Sequence, residues 1–204
     1  EEAAGHEGGK HGKGGDLLYR WGNPQAYRVG GSANRRLFLH HDVRWIDDNC
    51  PGAGNFMIFN NGDRDARRDF SSVDEWQPPL HEDGTYQDPE NGWYGPDKFT
   101  WSYSDPSAFH SSRISGAQRL PNGNTFVCSG EQGWLFEVTP DGKRIWELKI
   151  ADLFQDAAGG KGGGGKSKGK SKGKGKGGGG SRSSAFRAPW YPKDFSPAFS
   201  QLGE

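Results

Sequence analysis

The sequence predicts an all-β chain built as part of a β-propeller, and three observations predict it. Short strand-forming runs recur along most of the 204 residues. Pro-Asn-Gly-Asn (121–124) and Pro-Asp-Gly-Lys (140–143) punctuate them as hairpin turns, with Gly supplying the positive φ of the reversal. A unit of four strands closing on a Trp occurs twice. Composition agrees. With 31% apolar residues and 34 Gly the chain is poor material for a helical bundle. Eight Trp, twelve Phe and six Tyr supply enough buried area per residue to hold a thin stack of sheets together.

Taken in order, residues 1–15 are Gly, Glu, Lys and His with nothing to bury, and read as a disordered tail. Residues 16–156 read as the propeller blades. The strands expected there are DLLYRWG (16–22), FLHHDVRWI (38–46), NFMIFNN (55–61), FSSVDEW (70–76), KFTWSYS (98–104), SRISGAQRL (112–120), NTFVCSG (124–130), WLFEVT (134–139) and KRIWELK (143–149). IADLFQDA (150–157) alone has a helical look. Residues 157–182 carry seven Lys and one Arg with no acid. Such a run cannot offset its ordering entropy and is expected to be a disordered insertion. SAFRAPWY (184–191) would be a final inner strand in a closing segment, 183–204.

The repeat appears when QRLPNGNTFVCSGEQG is set beside RWIDDNCPGAGNFMIFNNGD. Each passes from a strand through a turn to Gly-Asn, a hydrophobic strand and a polar Gly-containing exit. Each unit then closes on a Trp-bearing strand, with Trp101 and Trp146 in matching places. Residues 36–104 form one blade with insertions, and 112–149 a compact second one. Segments 16–22 and 184–191 would be flanking strands of neighbouring blades. An ungapped alignment of the two units sets His41 against Ser115.

Several function classes lack support. A formal net charge of zero gives no argument for nucleic acid or an acidic surface as partner. No stretch approaches the ~18–20 apolar residues of a membrane span. The N-terminus has neither an initiator Met nor the apolar core of a signal peptide, as in a processed or excised piece, so localisation stays open. DFSPAFSQLGE reads as a natural end. Cys50 and Cys128 allow one disulfide at most, and free thiols fit equally. His6 and His11 read as solvated tail residues, His81 and His110 as bystanders in loops. No ligand set has metal-binding spacing.

The stretches GDLLYRWGNPQAY, LHHDVRWI, GAGNFMIFNNGD, FSSVDEW, YGP, SRISGAQRLPNGNTFVCSGEQGWLFEVTPDGKRIWE and FRAPWY together resemble the arylsulfotransferase family. These are PAPS-independent aryl-sulfate sulfotransferases on a six-bladed propeller. The resemblance implies transfer of a sulfuryl group from an aryl sulfate to a phenol through a sulfated histidine, without a cofactor. It assigns the nucleophile to His41, which precedes the Phe59-Asn60-Asn61-Gly62 turn. His40 stands where the family usually has Gln. Arg187 of FRAPWY matches a basic position near the family's C-terminus. Arg44 and Arg113 are candidate substrate contacts by position, since cationic donors stabilise the oxyanions of a transferring group. Asn60 is a third through the backbone of the Asn60-Asn61-Gly62 turn, a stretch that turn formation alone also explains. Asp42, adjacent to His41 on a strand, should point to the other face.

The alternatives come from the same residues. His41 fits a structural histidine satisfying strand polar groups, and Arg187 fits a structural salt bridge. Two blades do not close a ring and leave an unpaired sheet edge, so the missing blades would come from a longer chain or from self-association. A noncatalytic binding or scaffold module with a basic loop is the other functional reading. It predicts a salt-sensitive interaction indifferent to His41.

Overall fold

The computed structural model describes residues 4–66, 68–153 and 183–195. Among the described residues, eight strands form two four-stranded antiparallel sheets, each ordered as its strands follow in sequence. The first contains β1 (His41–Trp45), β2 (Phe56–Asn60), β3 (Ser72–Trp76) and β4 (Trp101–Ser104). The second contains β5 (Gly116–Arg119), β6 (Thr125–Ser129), β7 (Trp134–Val138) and β8 (Arg144–Lys149). The chain is therefore all-β with very little helix, and both expected units coincide with one sheet each. The turns fold as their sequences require. Gly123 and Gly142 sit at φ 87° and 84°, and Leu120 and Thr139 donate across the reversals to Asn124 O and Lys143 O.

Register bears on the internal repeat. Trp101 pairs with Glu75 and Trp146 with Glu137, and those two glutamates hold the same place in β3 and β7. The closing tryptophans are thus equivalent in three dimensions. His41 differs from its expected match. It faces Phe59, whose counterpart Cys128 faces Gly116 rather than Ser115. The cause is an extra residue in β1 between His41 and Arg44, a β-bulge that the ungapped comparison could not contain.

Strand alternation sends Met57, Phe59, Val73 and Tyr103 toward the second sheet, where Ala117, Val127, Trp134, Phe136 and Val138 meet them. Phe109, from the connector between the sheets, is fully buried at the seam. Its ring lies edge-on to Phe59 and Phe136 at 5.4 and 5.3 Å. Burying a ring of this size contributes about 1.5–3 kcal/mol. On the opposite face of the first sheet, Ile58 and Trp76 are covered by Leu37, Trp21 and Phe99. Strand β5 packs against β1 and β2, so the leading strands of the two sheets approach one another.

Two expected strands are absent. Residues 16–22 join no ladder and are held at separate points: Tyr19 Oη donates to Gly95 O, Trp21 Nε1 to Pro96 O, and Gly22 O accepts from Arg36 N and Leu37 N. Residues 184–191 run beside β5 without joining its ladder, because Pro189 lacks the N–H that pairing needs. Their ties are discrete: Ala185 N to Gly130 O, Ser115 N to Phe186 O and Trp190 N to Gln118 Oε1. Positions 150–153 are helical. The remainder of that expected helix and the Gly/Lys-rich run 157–182 lie outside the described residues. Within the N-terminal segment, successive turns are tied to the body through Lys13 Nζ, 3.2 Å from Asp88 Oδ1. Both cysteines are free thiols and buried. Among the described residues, no helix is long and apolar enough to cross a membrane.

Candidate functional site

His41 opens β1 and, through its pairing with Phe59, shares the face that looks toward the second sheet. Two residues beyond Phe59 on the same face stands Asn61, whose carboxamide meets the imidazole. His41 Nδ1 lies 2.7 Å from Asn61 Oδ1 and 3.1 Å from Leu39 O. Asn61 Nδ2 lies 2.7 Å from Ser111 O and 2.9 Å from Ile114 O, both in the connector that leads into β5. Ser71 Oγ, itself buried, donates to Asn61 O at 2.8 Å. His41 itself is half-buried, and among the described residues its Nε2 makes no hydrogen bond. The neighbouring His40 is exposed, yet crowding by surrounding atoms, with His41 and Arg35 close by, pushes it below the ordinary histidine value.

The bulge sets the electrostatics. Asp42 adopts φ 53°, a left-handed conformation unusual for a residue other than Gly. Its carboxylate turns inward and is only 8% exposed. Arg44 Nη2 donates to it at 2.7 Å, and Arg187 Nη1 stands 3.5 Å away, with the Arg187 side chain 59% exposed. Gly116 makes the approach feasible, since a Cβ there would lie 2.2 Å from Asp42 Oδ2. Leu39, Ile114 and Ser115 also have positive φ, at 48°, 52° and 92°. Each such residue costs roughly 1–3 kcal/mol and persists only where its surroundings over-determine it. All of them flank His41 or the carbonyls that hold Asn61. The β-branched Ile114 is the most unfavourable of these.

The sequence candidates therefore separate. His41, Arg44 and Arg187 gather about the β1 bulge, with Asp42 joining the two guanidinium groups. Arg113 points elsewhere, its Nε 3.6 Å from Glu131. Asn60, read from sequence as a substrate contact, is fully buried on the opposite face of the sheet. Its side-chain amide is spent on Arg36 O, Asp74 Oδ2 and the Phe38 N–H, so it braces the sheet. Its neighbour Asn61 holds the place next to the imidazole. Period-two alternation counted from Phe59 would have picked it out.

A cleft of about 420 Å³ opens beside Leu39 and Gly62, the residues flanking this arrangement, with Asp63, Asp65, Glu131 and His110 on its walls. Clefts of about 430 and 440 Å³ open at the 79–97 loop and beside Trp190, so size alone singles out none of them. Among the described residues, no three His, Cys, Asp or Glu side chains gather to hold a metal ion. The chain matches no protein-family model, no curated protein and no solved structure.

Proposed function

We propose that the two sheets are adjacent blades of an arylsulfotransferase-like propeller and that His41 is its sulfuryl acceptor. The observation that carries this reading is a histidine with one ring nitrogen anchored inside the protein and the other without a hydrogen bond among the described residues, next in sequence to an aspartate that pairs with two arginines. The like connectivity of the sheets, the equivalence of Trp101 and Trp146 and the contact of β5 with β1 and β2 support the blade arrangement.

In the first step the free imidazole nitrogen donates its lone pair to the sulfur of an aryl sulfate. The sulfur–oxygen ester bond breaks and its electron pair leaves with the aryloxide. In the second step a phenol oxygen attacks the same sulfur, its proton passes to solvent, and the nitrogen–sulfur bond returns its pair to the ring. Dividing the transfer in two lowers each barrier. Arg187, loosely held at 3.5 Å and largely exposed, is the cation free to turn toward the sulfuryl oxygens.

The test is incubation with 4-nitrophenyl sulfate and a phenol. The protein releases nitrophenol and acquires acid-labile sulfate on His41, and His41→Asn abolishes both. Absence of both signals in the wild type refutes the activity. One observation favours a noncatalytic binding module instead: Arg44 and Arg187 already share the Asp42 carboxylate. Under that reading His41→Asn leaves every partner interaction unchanged.

A further inference from the structure

We propose that Asn61 is a positioning residue that locks His41 in one tautomer and thereby makes Nε2 its reactive nitrogen. A carboxamide has a donor end and an acceptor end, and the surroundings decide which is which. One end of Asn61 faces two carbonyl oxygens, Ser111 O at 2.7 Å and Ile114 O at 2.9 Å. Carbonyls only accept, so that end is the NH₂, and both of its protons are used.

The other end, Oδ1, therefore points at His41 Nδ1, 2.7 Å away. An acceptor at that distance requires Nδ1 to carry the proton. Leu39 O, 3.1 Å from the same nitrogen, is a second acceptor with the same demand. A neutral imidazole has a single N–H. With Nδ1 protonated, the lone pair resides on Nε2, the nitrogen without a partner among the described residues. The relative weights of the two acceptors follow from distance, and Asn61 holds the shorter bond.

This lock is not local to the β1–β2 hairpin. Its outer anchors lie in the connector to the second sheet, where the positive φ of Ile114 belongs to the turn that presents that carbonyl. Ser71 Oγ donates to Asn61 O at 2.8 Å and accepts the Ser111 N–H at 2.9 Å. Docking of the second sheet thus sets the protonation pattern of a histidine on the first. The tautomer rests on these hydrogen bonds alone, whereas the word reactive rests on the transfer reading above.

The experiment is a long-range proton–nitrogen correlation spectrum of the ¹⁵N-labelled full chain with His41 neutral. The expected spectrum shows a protonated Nδ1 and a bare Nε2, and a bare Nδ1 overturns the proposal. In Asn61→Ala, with folding checked by circular dichroism, the Nε2–H form appears beside the Nδ1–H form. Turnover of 4-nitrophenyl sulfate falls in kcat by about tenfold to a hundredfold with KM unchanged. That range is carried over from the loss of the partner that orients a metal-bound histidine. A variant that keeps the wild-type tautomer and rate refutes the role of Asn61 while leaving the transfer reading intact. The expected tautomer in a wild type that turns over no aryl sulfate does the reverse. Should Asn61→Ala fail to fold, the wild-type spectrum decides the tautomer.

Discussion

Replacing Arg119 by Met removes one half of the ion pair that joins the two sheets. Arg119 on β5 and Glu75 on β3 are in direct contact, with side chains only 5% and 6% exposed. The guanidinium also donates to Gly123 O at 3.0 Å and lies over the Trp101 ring, 4.8 Å from its centroid. Glu75 Oε1 receives Asn55 Nδ2 at 2.6 Å. In Arg119→Met the Glu75 carboxylate stays buried with that one amide donor, a situation that costs about 3–5 kcal/mol. With a urea dependence of about 2 kcal/mol per M, the unfolding midpoint falls by about 2 M. Many domains have only 5–15 kcal/mol in total, so the variant approaches the limit of folding. Combining it with Glu75→Leu removes the stranded charge, and the double variant recovers most of the loss, because an apolar pair of similar volume often equals a buried ion pair. The measurement is urea unfolding of all four proteins by tryptophan fluorescence, read as a double-mutant cycle. Single variants that each lose under about 1 kcal/mol, or a double variant equal to their sum, would refute the claim that this pair is a coupled seam.

Three further outcomes concern buried thiols, a buried carboxyl and a glycine at the bulge. Burial pushes the Cys128 thiol up to about 11 and also raises Cys50, so native protein at pH 8 resists iodoacetamide while denatured protein takes up two labels, counted by mass spectrometry. Burial outweighs the bonds from Ser102, Asn60 and Ser72 and raises the Asp74 carboxyl above its unfolded value. The native state therefore holds this proton more tightly than the unfolded state. Relative to Asp74→Asn, the wild type loses stability as pH rises from about 4 until the native carboxyl has titrated, as tracked by thermal melts across pH. A rising difference contradicts that sign. Gly116→Ala pushes its Cβ into the Asp42 carboxylate, lowering stability by about 1–3 kcal/mol and erasing the coupling between Asp42 and Arg187 in a mutant cycle. Unchanged coupling would show that the carboxylate does not depend on the missing side chain.

Much of the fold was legible because strand-forming runs are set apart by turns that carry Gly where a positive φ is needed. The segments that failed, 16–22 and 184–191, have strand-like composition, but their anchors are tertiary. One hangs on Trp21 and Tyr19, and the other is barred from a ladder by Pro189. The site was legible as residue types and not as geometry. His41 and Arg187 were visible, yet the extra residue in β1 changes which neighbour each side chain meets. Asp42 consequently joins Arg44 and Arg187 instead of merely turning away from the imidazole. Asn60 and Asn61 look interchangeable in sequence, and the pairing of His41 with Phe59 tells which of them shares the face of the imidazole.

The two sheets differ in how far the chain travels between partners. In the second, β5, β6, β7 and β8 are joined by the brief links 120–124, 130–133 and 139–143, whereas the first must close the longer spans 46–55, 61–71 and 77–100. Ring closure over a short span loses less chain entropy, so the second sheet is expected to assemble first and the first to condense on it. Substitutions in β6 and β7 then slow refolding. Those in β3 and β4 chiefly hasten unfolding, which makes the half carrying His41 the part that comes apart first.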